Sequence, residues 1–150
     1  MTPRSNLSKL HILIVDDEPD NRDLVMDIVT LFGARASAAE SGRDAMDQLE
    51  QAAPNLILLD LHMPGMDGWE VHRRLRDRAA MRAVPIIALT ALAMPEDERR
   101  VKEAGFDGYM TKPFVIYDLV ELLEEWQRRI TGSSSNGRRT SQSVEEVVHE

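Results

Sequence analysis

The chain contains no cysteine. Disulfides, zinc–thiolate centres and thiol nucleophiles are therefore excluded, and the composition is compatible with a reducing compartment. No stretch approaches the roughly 18 apolar residues of a membrane span. Met1 to Leu10 is polar and lacks the apolar core of a signal peptide. These absences predict a chain that is neither secreted nor inserted in a membrane, with the cytoplasm as its expected location. Positive charge is also in deficit: the formal net charge is -8 and the pI is about 5.0. A duplex-DNA binder needs a basic face to replace counterions, so nucleic acid is not expected as a partner. Anchoring on anionic lipid is disfavoured for the same reason. Other proteins or a cation suit this charge.

What is present suffices for one domain. A length of 150 residues with 43% apolar composition supports a single hydrophobic core and is short for two. Three apolar runs, Ile12 to Val15, Leu56 to Leu59 and Ile86 to Leu89, lack polar alternation. Runs of this length suit strands buried on both faces of a parallel sheet. Helical patterns separate them. Leu24, Val25, Ile28, Leu31 and Phe32 form one stripe, with Gly33 as its stop. Ser41 and Asp44 make an N-cap pair for a helix continuing through Ala45 and Leu49. Glu96 to Ala104 is a charged helix that stops at Gly105. Leu119, Leu122, Leu123 and Trp126 recur at helical spacing. Weaker strands are expected near Ala34 to Ala38 and Tyr109 to Thr111. Five strand–helix alternations predict an open, doubly wound α/β fold. Residues 1–9 are read as an N-terminal extension. The composition changes at Thr131, so residues 131–150 are expected to form a mostly disordered tail.

Polar residues that carry chemistry follow the strands directly. Asp16, Asp17 and Glu18 follow Val15; Asp60 follows Leu59; Thr90 follows Leu89; Lys112 and Pro113 follow Thr111. Ligands of open α/β sheets bind beyond the carboxyl ends of the strands. Singly, each residue has a plainer explanation. An Asp after a strand is a turn former or a helix cap, a Thr is a cap, and a Lys is a solvated charge. Jointly they would converge on one crevice. Two carboxylates ~5 Å apart repel by roughly 3 kcal/mol at an effective dielectric near 20, so the acids need compensation. Lys112 offsets one charge. A divalent cation offsets two, and an all-oxygen donor set suits Mg²⁺.

Ile12-Leu13-Ile14-Val15-Asp16-Asp17-Glu18, Leu58-Leu59-Asp60-Leu61-His62-Met63-Pro64-Gly65-Met66-Asp67-Gly68, Ala88-Leu89-Thr90-Ala91 and Tyr109-Met110-Thr111-Lys112-Pro113-Phe114 closely resemble the receiver domains of bacterial two-component response regulators. The resemblance runs from about residue 10 to residue 130 and suggests the stand-alone, single-domain type. It implies a flavodoxin-like five-stranded parallel sheet in the order 2-1-3-4-5, with helices on both faces. It implies that Asp60 takes a phosphoryl group from a phosphohistidine on a sensor histidine kinase or a histidine phosphotransfer protein. Asp17, Asp60 and the backbone carbonyl of His62 would ligate Mg²⁺, and Asp16 would hold it through water. Lys112, entering through a cis bond to Pro113, and the Thr90 hydroxyl would hold phosphoryl oxygens. Thr90 and Tyr109 would form the switch, and the surface over residues 94–126 would meet a downstream protein target.

The resemblance also implies a protein that is not a conventional enzyme but assists its own phosphorylation and dephosphorylation. Two rival readings compete with it. A Mg²⁺-dependent aspartyl-phosphate hydrolase would carry its nucleophile in an Asp-x-Asp motif after the first strand, which this chain lacks. A phosphorylation-independent interaction module would usually lack one of the acids or the lysine, and all are present here. His62 is read as lining the mouth of the site, Asp67 as a helix cap, Trp69 as helix-surface or partial core packing, and Arg73 to Arg82 as mostly solvated.

Overall fold

The computed structural model describes the backbone of residues 5–91, 94–113 and 115–148, and side chains as far as Gly132. Five strands and five α-helices alternate: β1 His11–Val15, α1 Pro19–Leu31, β2 Arg35–Ala39, α2 Gly42–Ala52, β3 Leu56–Asp60, α3 Gly68–Arg76, β4 Ile86–Thr90, α4 Pro95–Ala104, β5 Gly108–Thr111 and α5 Ile116–Val148. A short 3₁₀ turn, Ala79–Met81, lies between α3 and β4. The sheet order is β2-β1-β3-β4-β5, and every pairing is parallel. Parallel neighbours require a crossover, and the helices supply it. The expected doubly wound α/β fold and strand order are the ones found.

The three apolar runs are buried throughout, as strands covered on both faces must be. Successive side chains alternate between two cores. Leu13, Val15, Ile57, Leu59, Ile86 and Ala88 meet Ala45 and Leu49 of α2, Val71 and Leu75 of α3, and Val101 of α4. Ile12, Ile14, Leu56, Leu58, Ile87 and Leu89 meet Val25, Ile28 and Val29 of α1 and Leu119, Val120 and Leu123 of α5. Each such side chain contributes about 1.5–3 kcal/mol on full burial.

Local chemistry fixes the helix ends. The Ser41 hydroxyl accepts the Asp44 N–H at 3.0 Å, and the Asp44 carboxylate accepts the Glu40 N–H at 3.1 Å. Asp67 caps α3 by accepting the Glu70 N–H at 3.0 Å, as the sequence suggested. Gly105 ends α4 at φ 99°, in the left-handed region that glycine enters without a Cβ clash. Trp69 packs partly into the core, edge-on to Phe106. Among the described residues, no helix is long and apolar enough to cross a membrane.

Several details differ from the sequence reading. Leu24 and Leu31, taken as part of the α1 stripe, are 50% and 78% exposed, and Val29 is buried in their place. The sheet and α5 cover a narrower strip of α1 than the apolar pattern suggests. Arg76 is not simply solvated. Its guanidinium donates to the carbonyls of Met81 and Val84 and pairs with Asp107 at 2.7 Å. It thereby ties α3 to the 3₁₀ turn, to the approach to β4 and to the turn before β5. Strand β2 lies one residue later than expected. Within the stretch read as an extension, Leu7 is fully buried in the α1–α5 core, and the Asn6 carbonyl accepts from Gln127 of α5 at 2.6 Å. The backbone of α5 continues through the segment expected to be a disordered tail, whose side chains from 133 onward lie outside the described residues.

Candidate functional site

Strand register alone brings the polar residues together. Val15 lies beside Leu59, so Asp16 and Asp60, each one residue further on, leave the sheet side by side. Asp60 lies beside Leu89, so Thr90 is the next step along β4. Thr90 lies beside Thr111, and the Lys112 N–H donates to the Thr90 carbonyl at 2.8 Å. Four strand ends therefore open onto one crevice. The Lys112–Pro113 bond that follows is cis.

Carboxylate oxygens of Asp16, Asp17 and Asp60 lie within 4.8 Å of one another. Asp16 is 1% and Asp60 5% exposed. Lys112 reaches into the group from β5, with its Nζ 3.1 Å from Asp16 Oδ2 and 3.4 Å from Asp60 Oδ2. The His62 N–H donates to Asp60 Oδ1 at 3.2 Å. The His62 residue is itself exposed, and it meets Asp60 through its backbone. Thr90 is fully buried. Tyr109 is half-buried against the core on the α4 side. Burial, followed by the charges of Asp97 and Glu98 on α4, raises its phenol above the ordinary range.

Burial raises the Asp60 carboxyl above the usual carboxylate range. The His62 N–H and the Lys112 charge pull it back, and the Asp16 charge pushes it further up. One lysine faces three acids, so the cluster carries excess negative charge. A divalent cation meets that excess, and the donors are all hard oxygens. The group fits Mg²⁺ on charge and on donor chemistry. It also presents a carboxylate whose desolvation and crowding make it a candidate nucleophile.

Every residue predicted for the site is at the crevice except Tyr109, which lies beside Ala88, two strand positions before the Thr90–Thr111 level, on the α4 side. The sequence reading missed Arg22 of α1, whose Nη1 donates to the Asp16 carbonyl at 2.9 Å. A cation six residues after Asp16, on the first turns of a helix, was the available signal.

Comparison with known proteins bears on the family and the fold. The sequence profile of the response regulator receiver domain matches residues 12–124. The polar-differentiation response regulator DivK of Brucella ovis is 33% identical over 115 residues, which is 77% of this chain and 94% of that protein. Among solved structures, the Vibrio cholerae chemotaxis protein CheY4 superposes with a TM-score of 0.72 at 30% identity, covering 76% of this chain and 95% of that one. The receiver domain of a Pseudomonas aeruginosa sensor histidine kinase, described with a magnesium ion coordinated in its active-site cleft, superposes at 0.70 with 34% identity. That match covers 77% of this chain and 95% of the other.

Proposed function

Because the chain belongs to the receiver-domain family of two-component response regulators, we propose that Asp60 is its phosphoacceptor and that Asp16, Asp17, Thr90 and Lys112 serve that residue. The observation that carries this reading is the convergence of the three carboxylates and Lys112 on one crevice at four strand ends.

A carboxylate oxygen of Asp60 attacks the phosphorus of a phosphohistidine. The new P–O bond forms as the P–N bond breaks, and the electron pair leaves with the imidazole nitrogen. The attacking oxygen must be ionised and open to the donor. The His62 N–H holds Oδ1, so Oδ2 is the more available oxygen, with Lys112 beside it. As the phosphoryl group arrives, Lys112 is placed to transfer its pairing from Asp60 to a phosphoryl oxygen. Such a charge-assisted contact costs little reorganisation because the ammonium is already held. Asp17, Asp60 and the His62 carbonyl would hold Mg²⁺, with Asp16 acting through water. The ion would supply positive charge against the equatorial oxygens of the transferring group. Water attacking the same phosphorus returns Asp60 and inorganic phosphate, so the domain assists its own phosphorylation and dephosphorylation without turning over a separate substrate.

Phosphorylation adds about -1.5 to -2 charge and strong acceptors. Thr90 follows Asp60 by one register step, so its hydroxyl is the nearest strand-end donor on the β4 side. A move of Thr90 toward the phosphoryl group would open space for Tyr109, and the surface over residues 94–126 would report the change to a protein target. Receiver domains partner with histidine kinases or phosphotransfer proteins and with downstream targets. We place this chain with such partners in the cytoplasm. Intact-mass analysis after incubation with Mg²⁺ and acetyl phosphate tests the reading. One added phosphoryl group in wild type and none in Asp60→Ala is expected. Equal labelling of Asp60→Ala, or none in wild type, removes it.

A further inference from the structure

The turn between β1 and α1 carries two of the three carboxylates, and its backbone sets their directions. Asp16 is held at four atoms. Its N–H donates to the Ala39 carbonyl at 3.1 Å. Its Oδ1 accepts the Glu18 N–H at 2.9 Å. Its Oδ2 faces Lys112 at 3.1 Å. Its carbonyl oxygen accepts from Arg22 Nη1 at 2.9 Å. The first three partners are a neighbouring strand, the turn itself and the strand-end lysine. Arg22 is different in kind. It is a side chain of α1 that reaches back over the turn leading into its own helix. The Arg22 N–H makes the first backbone bond of α1, to the Glu18 carbonyl at 2.9 Å, so the residue's backbone is fixed where its side chain reaches back.

The Asp16 carbonyl belongs to the peptide unit that leads into Asp17. A peptide unit is planar. Fixing its oxygen therefore limits the direction in which the Asp17 side chain leaves the backbone. Asp17 has no strand to hold it, unlike Asp60. Guanidinium is charged at every accessible pH and donates in a fixed fork, which suits it to hold a carbonyl beside two acids.

We propose that Arg22 is a positioning residue of the acidic cluster, holding the Asp16–Asp17 peptide so that Asp17 can share a divalent cation with Asp60. This rests on the metal reading given above. Groups that hold a metal's ligands in place contribute about tenfold or more to affinity.

The test is calorimetric titration of the full chain with Mg²⁺, alongside melting of the metal-free protein. Arg22→Met keeps the unbranched stem of the side chain and removes the guanidinium that donates to the Asp16 carbonyl. Its Mg²⁺ affinity is expected to fall about tenfold, with the metal-free Tm within about 2 °C of wild type. Arg22→Lys, which retains charge and a donor, is expected to recover most of the affinity. Wild-type affinity in Arg22→Met overturns the inference. So does a large fall in its metal-free Tm with no recovery by lysine, which would make Arg22 a general strut. Asp17→Asn separates the two levels. If it binds Mg²⁺ as wild type does, the metal reading itself fails. If it loses binding and Arg22→Met does not, only the role of Arg22 fails.

Discussion

Asp60 stands in a place that resists ionisation. Burial and the Asp16 charge raise its carboxyl, and the His62 N–H and Lys112 offset only part of that. A carboxyl raised in the fold above its ordinary value of 3.8 favours folding when protonated. That contribution is fully present below the ordinary value and is lost as pH rises through the raised one. At neutral pH the metal-free fold therefore carries the cost of the charge. Asp60→Asn should stabilise the metal-free protein at pH 7 by on the order of 1 kcal/mol, about 3 °C in Tm. The gain should disappear in acid, as melting curves across pH will show. Lys112→Met should act in the opposite sense. Removing the cation from two buried carboxylates costs about 3 kcal/mol, the low end for a buried pair because Lys112 is partly exposed, and adding Asp60→Asn to it should recover part of that loss. Additive effects in this double-mutant cycle would argue against the ion pair.

At the scale of the elements, the site depends on how closely α3 begins against the end of β3. The Gly68 N–H donates to the Leu61 carbonyl at 3.1 Å. A Cβ on Gly68 would stand 2.4 Å from the Asp60 carbonyl oxygen and 2.6 Å from Leu61 Cα. Gly68→Ala should therefore cost about 2 kcal/mol or more and displace Asp60, lowering phosphoryl acceptance together with stability. Further along α3, His72 is 6% exposed, stacked on Phe106 with ring centroids 4.1 Å apart. Among the described residues its Nε2 has no hydrogen-bond partner. Burial lowers its pKa below 6.5, as does the nearby Arg76 charge, with the Gly105 backbone and Asp107 opposing in part. A histidine lowered in the fold stabilises the protein above its ordinary pKa, and that stability is lost as pH falls through the lowered value. Wild type should lose Tm between pH 7 and pH 5 more steeply than His72→Phe. Parallel pH profiles would contradict this.

The same elements show what the sequence could and could not reveal. Ile12 to Val15 and Ile86 to Leu89 were legible because a strand buried on both faces needs an unbroken apolar run. Asp16, Asp60 and Thr90 were legible because each stands one step past an apolar run, and Lys112 because it follows the weaker strand that ends at Thr111. Leu24 and Leu31 misled because helical periodicity gives the apolar side of α1 but not how widely the sheet and α5 cover it. Leu7 and Arg76 were opaque for a related reason. Both acquire their partners through tertiary contact, Leu7 in the α1–α5 core and Arg76 across the turns before β4 and β5. No local pattern encodes those meetings.

For the whole molecule, the fold delivers excess negative charge to one end of the sheet and leaves its relief to ligands. Mg²⁺ should therefore stabilise the folded state. A ligand at 100 times its Kd adds about 2.7 kcal/mol, several degrees in Tm, and the increment should be lost in Asp17→Asn. A phosphoryl group would add further negative charge for the cation and Lys112 to meet, and its point of attachment is the central claim. The most direct measurement is phosphorylation with acetyl phosphate and Mg²⁺, reduction of the acyl phosphate with borohydride, and peptide mass spectrometry. The account predicts homoserine at position 60 and nowhere else. Homoserine at position 16 or 17, or its absence from a chain shown by intact mass to be phosphorylated, would contradict it.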